Sequence, residues 1–462
     1  MSNSDVILLL AAREIVSNFA ADFKTDMRKR FYTAMLVSIA FAMTAQAQTE
    51  LRLSIDEMFR MIDQRNSSIK ADRTAVEAAG EGIKAARSQR LPDISTQLNF
   101  SYIGNALLTD RDFGNGVGCK TPHFGNQFLL DVQQTIYAGG AIDAGVRLAE
   151  LGAEQARLQL ALSEQNQRFI ALAQYLDLEK VAHREEVLSK NIVLTERLIA
   201  NIREKQQQGV ALKNDITRYE LQLETQKLSL TKLQNTRLIL NHQLCNTLSL
   251  PTTQTIVPTD DAATAVFGKD GEDRWQDVAA AASPQLQMAG VGELIAQQQE
   301  KIARSSMLPK IAIVAQNNFN GPITFELPPI DKNLNVWFVG IGVRYDLSSL
   351  FKSNKGVAKA RLETQAAKER RAVAAELLNN SVQAAYVGYL QSYVELETQQ
   401  KSVQLAQQNY EVVNNRYLNQ LALITDMIDA SNTKLDAELN EADAYINIAY
   451  AYYKMKYIAG QL

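Results

Sequence analysis

Ala86-Arg87-Ser88-Gln89-Arg90-Leu91-Pro92-Asp93-Ile94 and Ala303-Arg304-Ser305-Ser306-Met307-Leu308-Pro309-Lys310-Ile311 are two copies of one phrase, the second 217 positions after the first (308 minus 91). In each copy a stretch of helix formers runs into Leu-Pro, and the proline forbids the helix to continue. Beyond each proline the pattern changes to alternating apolar and polar residues, the period of a strand. The period of the duplication is far longer than a solenoid repeat, so the chain reads as two copies of one long unit.

Upstream of the first switch, residues 54–90 read as one helix opened by Ser54 with Glu57 three places on, a capping-box pattern. Downstream, Ile94, Thr96, Leu98, Phe100 and Tyr102 alternate with Ser95, Gln97, Asn99 and Ser101. A glycine-rich loop is expected from Gly104 to Gly125. A second strand then runs from Gln127 to Tyr137, with Phe128, Leu130, Val132 and Ile136 on one face, and ends at Gly139-Gly140. The second half repeats the order. A helix over 275–306 leads to a strand holding Ile311, Ile313, Ala315 and Phe319. A loop with Gly321, Pro322, Pro328 and Pro329 follows, then a strand from Asn335 to Leu347 with Trp337, Val339, Ile341, Val343 and Tyr345 on one face.

From Gly145 to about Gln208 the composition is helical throughout, and at 1.5 Å per residue the helix spans roughly 95 Å. Such a length is foreign to a globular core and points to a coiled coil or the wall of a tube. Gly209 breaks it, and a second helix to about Cys245 carries Ile216, Tyr219, Leu223, Leu230, Leu233, Leu240 and Leu244 on a heptad seam interrupted by Gln226 and Arg237. Gly356 to about Leu418 is the matching long helix, offset by 211 (356 minus 145). The same offset pairs Tyr175 with Tyr386, Leu212 with Leu423 and Asp215 with Asp426.

Near the start, Met27 is followed by Arg28-Lys29-Arg30, an apolar run from Phe31 to Met43, and Ala45-Gln46-Ala47 before Gln48. Basic, apolar, then small-x-small is the order of a secretory signal peptide, which makes Met27 the expected start; a buried or anchoring helix is the alternative. The division expected is 1–47 for the upstream extension and signal peptide, 48–247 for the first repeat, 248–274 for a connector and 275–462 for the second repeat. Cys119 and Cys245 have no framework spacing. The formal net charge is −3 with both signs interspersed, so nucleic acid is not an expected partner. His123, His183 and His242 are isolated, and Gly114-Asn115-Gly116-Val117-Gly118 leads into no helix, so no catalytic, cofactor or metal site is expected.

Four strands of about ten residues match tilted strands crossing a bilayer. Four cannot close a barrel, and a membrane tolerates no open edge. Two copies would give eight strands around a filled interior, whereas three give twelve around a lumen, so a homotrimer is expected. A soluble exported sheet packed on helices is the competing reading.

Leu91-Pro92 and Leu308-Pro309, Gln134-Thr135-Ile136-Tyr137-Ala138-Gly139-Gly140 at a strand exit, and Arg416-Tyr417 followed by Leu421 and Asp426 resemble the TolC family of outer-membrane efflux channels over essentially the whole mature chain. The resemblance implies an α+β membrane protein, with a duplicated helix-strand-strand-helix-helix unit. Its trimer would form a 12-stranded barrel among outer-membrane lipid, continued by a long periplasmic α-helical coiled-coil barrel. It implies a passive exit duct of tripartite efflux or type I secretion, energised by an inner-membrane transporter through a periplasmic adaptor. The adaptor would dock on two tips, Gly209, Val210, Ala211, Leu212 and Gln420, Leu421, Ala422, Leu423. Asp426 and Asp429 would line the periplasmic aperture, and Arg416 and Tyr417 would supply gating contacts. Asp215 reads instead as a helix cap. The sequence departs from the family at Asn419-Gln420, where a glycine is usual, and at Lys205-Gln206 in place of Arg-Tyr. The alternative of another class is an exported periplasmic coiled-coil adaptor or scaffold without a pore.

Overall fold

A computed structural model describes residues 50–260, 267–268 and 270–462. The expected signal peptide and the start at Met27 lie outside the described residues. In chain order the elements are β1 (Glu50–Leu53), α1 (Ile55–Arg65), α2 (Ser67–Ser88), β2 (Asp93–Tyr102), β3 (Ala106–Leu108), β4 (Val117–Cys119), β5 (Phe124–Tyr137), α3 (Ala141–Gln207) and α4 (Lys213–Thr247). There follow β6 (Thr255–Pro258), α5 (Glu272–Ala282), α6 (Pro284–Ser305), β7 (Lys310–Gly321), β8 (Leu334–Arg344), α7 (Ser349–Leu418) and α8 (Ile424–Ile458).

Both Leu-Pro phrases sit where the sequence puts them, between α2 and β2 and between α6 and β7. The single helices expected on either side are each two. Asn66 ends α1 in extended conformation and caps α2, its Oδ1 accepting from the Ser68 and Ile69 amides at 2.9 and 3.3 Å. Ser283 makes the same break before Pro284, which occupies the first helical turn where a missing N–H costs nothing. The breaks are 217 positions apart (283 minus 66), so they belong to the duplication. The Ser54–Glu57 capping box is present.

The four long strands form one antiparallel sheet in the order β2-β5-β7-β8. Register places Ile94 opposite Val132, Val132 opposite Ala315 and Ala315 opposite Val339, so the apolar positions of all four strands share a face. That face is bare: Ile94, Leu98, Phe100, Trp337, Val339, Ile341 and Val343 are all exposed, Trp337 at 69% and Ile341 at 75%. An apolar face of this size far exceeds the patch of about 300–600 Å² that a soluble monomer shows. The opposite face carries Ser95, Gln97, Asn99, Gln127, Asp131, Gln133, Gln316 and Asn318, where Gln316 Nε2 donates to Asp131 Oδ2 at 3.4 Å. β5 begins at Phe124, earlier than expected, and the loop before it contains the β3–β4 hairpin. A bulge between Thr135 and Tyr137 precedes Gly139, whose φ is +62°. A Cβ there would sit 2.9 Å from both the Ser305 carbonyl oxygen and Leu308 Cβ, so the strand exit of one repeat can pack against the Leu-Pro switch of the other only as glycine.

Below the sheet the helices lie side by side in a row four wide. Near the strands the neighbours run α2-α3-α6-α7, and toward the far end α4-α3-α8-α7. α3 and α7 pass through both levels, and α3 alone is about 100 Å long. α7 begins at Ser349, just after a strand that ends at Arg344 rather than Leu347. At mid-height β6, inside the segment read as connector, pairs in parallel with β1. Tyr175 locks this pair: its hydroxyl donates to the Leu53 carbonyl at 2.9 Å and accepts from the Thr259 and Asp260 amides at 3.1 and 3.2 Å. Around it pack Leu53, Met58, Ile62, Leu172, Leu176, Leu244 and Ile256. The counterpart anchor in the second repeat is Tyr389, one turn beyond the expected Tyr386, with its hydroxyl on the Gly268 carbonyl at 3.1 Å. No helix among the described residues is long and apolar enough to cross a membrane.

Candidate functional site

The far end of the helical row holds two hairpin tips built by the same bonds. In the first, Gly209 takes φ +79°, the Val210 amide donates to the Lys205 carbonyl at 3.0 Å, and Asp215 Oδ2 accepts from the Leu212 amide at 3.1 Å. In the second, Gln420 takes φ +63°, the Leu421 amide donates to the Arg416 carbonyl at 2.8 Å, and Asp426 Oδ2 accepts from the Leu423 amide at 3.0 Å. Each is a left-handed helix stop followed by a carboxylate that holds the next helix at its positive end. The left-handed turn that glycine would favour is therefore formed by Gln420, at a cost of about 1 kcal/mol. Gln420→Gly is expected to raise stability by roughly 0.5 kcal/mol. Gly209→Ala, with open space around its Cβ, should lower it by about 1 kcal/mol from conformation alone. Denaturant midpoints of the detergent-solubilised protein check both.

Around the tips Val210, Leu212, Leu421 and Leu423 are exposed, the leucines at 68–70%. Ala211 and Ala422 are half-buried. Behind them Ile199, Ile202, Tyr219, Leu223, Ile424, Met427 and Leu435 form a packed core that ties α3, α4 and α8 together.

Of the expected gating contacts, Tyr417 is half-buried against this core, and burial followed by the nearby Asp215 charge raises its phenol above the usual range. Lys205 Nζ lies 5.8 Å from the Tyr417 ring centroid, a cation–π contact joining the first tip to the second. Lys205 stands out in the sequence only as a departure from the Arg-Tyr pattern. Arg416 turns back onto its own tip, Nη2 donating to the Leu421 carbonyl at 3.4 Å.

Asp426 and Asp429 are both exposed at the start of α8, and the structure gives them different surroundings. Asp426 closes its own helix as Asp215 does. Asp429 lines a groove of about 780 Å³ between α4 and α8, with Arg218, Gln222, Lys232, Asn432 and Asp436. Gln222 Nε2 bridges the groove to Asn432 Oδ1 at 2.8 Å. No group of His, Cys, Asp or Glu among the described residues is arranged to hold a metal ion. Cys119 and the buried Cys245 are free thiols.

The bare apolar sheet above a long helical row calls for apolar surroundings at one end and lateral neighbours along its length. Residues 275–461 match the family model of outer membrane efflux proteins. Over the whole fold, the chain is similar to the outer-membrane channel OprN, with a TM-score of 0.74 and 14% identity over 88% of this chain and 90% of that one. It is equally similar to the outer membrane protein VceC of Vibrio cholerae, with a TM-score of 0.74 and 12% identity over 88% and 96% of the two chains. The CmeC outer membrane channel of Campylobacter jejuni aligns with a TM-score of 0.70 and 14% identity over 88% and 85%. No curated protein sequence matches the chain. The second repeat thus carries the outer membrane efflux protein pattern, and the chain as a whole has the fold of these outer-membrane channels.

Proposed function

We propose that three copies of this chain form the exit duct of a tripartite efflux or type I secretion system. The observation that carries this reading is a four-stranded sheet that is apolar on one side, mostly polar on the other, where Val336 and Phe338 are exceptions, and unpaired at both edges. β2 and β8 run antiparallel to one another, so β8 of one copy can pair with β2 of the next and the ring stays antiparallel throughout. Three copies make twelve strands with the apolar face toward lipid and the amide-lined face toward a wet lumen. The helical row repeats this logic. α7 forms one edge, and α2 with α4 the other, and both carry exposed apolar side chains, among them Leu221, Leu228, Leu238, Leu362 and Val387.

The helical barrel hangs in the periplasm and ends at the two tips. Val210, Leu212, Leu421 and Leu423 offer an apolar rim to a periplasmic adaptor, which couples the duct to an inner-membrane transporter. The duct itself does no chemistry. Asp426 and Asp429 form acid rings at the aperture, where a narrow low-dielectric throat favours cations, and the Lys205–Tyr417 contact holds the tips together when closed.

Single-channel conductance of the purified protein in a planar bilayer tests the reading. Discrete steps with cation preference are expected, and Asp426→Asn/Asp429→Asn should reduce that preference severalfold while leaving the steps. Asparagine at 426 still accepts from the Leu423 amide, so the helix start survives the loss of charge. Steps indifferent to the double change would remove the acid rings and leave the channel. A folded oligomer with no conductance would put a poreless periplasmic scaffold in its place.

A further inference from the structure

The two repeats enter their long helices through equivalent turns of opposite electrical character. In the first, α3 starts after Tyr137, and its charges are mutually satisfied: Arg90 meets Asp143 at 2.7 Å, Arg87 meets Glu150 at 2.9 Å and Arg147 meets Glu150 at 3.1 Å. In the second, the stretch from Arg344 to Arg361 holds Arg344, Lys352, Lys355, Lys359 and Arg361 against Asp346 alone. Asp346 accepts from the Ser348 amide at 3.0 Å and hydroxyl at 2.7 Å, and its single charge is shared between Lys352 and Arg344. Lys359 reaches only the exposed Glu363 at 3.5 Å, a weak surface pair.

These lysines also stand at the wrong end of their helix. The first turns of α7 carry the positive end of the dipole, contain no acid, and have no side-chain cap from Ser348, the Ser349 and Phe351 amides being taken by the Asp346 and Ser348 carbonyls at 2.9 and 3.3 Å. Three cations there are favourable only beside an anion. Lys352, Lys355 and Lys359 fall within about 60° of one another on the helix, on a strip roughly 10 Å long. Just before and among them Tyr345, Leu347 and Phe351 are exposed, Phe351 at 71%, in continuation of the apolar sheet face. Aromatic and apolar side chains next to lysines at the end of spanning strands are the arrangement of a membrane interface.

We propose that the start of α7 is a binding site for anionic phospholipid on the periplasmic leaflet, the lysines receiving the headgroup phosphate at the positive end of the helix and Phe351 and Leu347 resting among the acyl chains. The headgroup layer is about 5–7 Å deep, so Lys352 and Lys355 lie within it directly below β8, and Lys359 reaches it by extending its side chain. The first repeat offers no such site, so each copy holds one site, and a trimer would have three. This inference rests on the membrane-duct reading above.

Native mass spectrometry of the full-length, detergent-solubilised oligomer tests it, with added phosphatidylglycerol or phosphatidylcholine as probe. Wild type should retain phosphatidylglycerol several-fold better than phosphatidylcholine. Lys352→Gln/Lys355→Gln/Lys359→Gln should lose that preference, whereas Arg147→Gln at the equivalent turn should keep it. Equal retention of the two lipids by wild type, or an unchanged preference in the triple variant, overturns the site. A triple variant that falls apart into monomers while still preferring phosphatidylglycerol would assign the lysines to contact between copies instead. Failure of the duct reading itself is distinct: the wild-type chain would then be monomeric and would need no detergent.

Discussion

Val394→Asp/Leu405→Asp is expected to abolish the oligomer and leave a monomer that still folds. Val394 and Leu405 are 63% and 53% exposed in the single chain, so neither substitution disturbs the core of the copy that carries it. They belong to a stripe of exposed side chains on α7, Leu362, Val373, Leu377, Val387, Val394, Leu405 and Val412. Successive spacings of 11, 4, 10, 7, 11 and 7 residues keep the stripe within about 100° of one helical face over some 75 Å. A solvated helix has no reason to hold such a line, whereas a helix awaiting a lateral neighbour does. Burying the two side chains contributes about 1.5–3 kcal/mol each at every interface, and an unpaired buried carboxylate reverses that by several kcal/mol more. Sedimentation velocity or size-exclusion chromatography with light scattering in detergent would show the change. Circular dichroism should show the helix content intact. A stable oligomer in the double variant would mean that this edge faces solvent.

The second large effect belongs to a single hydroxyl. Tyr175→Phe should destabilise the protein by on the order of 2 kcal/mol, because the change strands the Asp260 amide and leaves the Leu53 carbonyl and the Thr259 amide with only the 3.1 Å bond they make to each other. Burial pushes the Tyr175 phenol up to about 12, so the group stays protonated and able to donate throughout the ordinary pH range. Tyr389→Phe is the natural comparison. It releases the Gly268 carbonyl and the Tyr393 hydroxyl, and should cost about 1 kcal/mol. Denaturant unfolding gives the magnitudes, and amide exchange at Asp260 should quicken selectively in the first variant. Equal costs in the two variants would show that the ring, rather than the hydroxyl, is what matters at these positions.

The parts of this structure written in periodicity were legible, and the parts written in long-range pairing were not. Alternation and proline located all four long strands, and the absence of breakers located α3 and α7. The breaks at Asn66 and Ser283 were obscured because helix formers continue on both sides, although Asn66-Ser67 and Ser283-Pro284 are the cap signals that make them. β1 and β6 are four residues each and pair across some 200 residues, beyond the reach of any local pattern. At the tips the sequence indicated the turns and the capping role of Asp215. It could not show that Asp426 serves its helix in the same way, that Gln420 accepts the left-handed conformation, or that Lys205 covers Tyr417. Only the last depends on two segments about 200 residues apart arriving together; the first two are local, made by bonds that span three to five residues.

The duplication also determines where the chain can change length. The two Leu-Pro switches are offset by 217 and the two tips by 211 (420 minus 209), so the six-residue difference is taken up between switch and helix, in the strands and the loops that join them. From strand exit to tip the halves keep step. A residue inserted within α3 would lower everything beyond it by about 1.5 Å and turn it by about 100°, presenting the wrong faces of the tip to α8 and to the neighbouring copy. The long helices thus act as a vernier: their side chains can drift while their length cannot. The loops at the other end are free to lengthen or shorten, so variation in this molecule is channelled to the end of the sheet farthest from the tips.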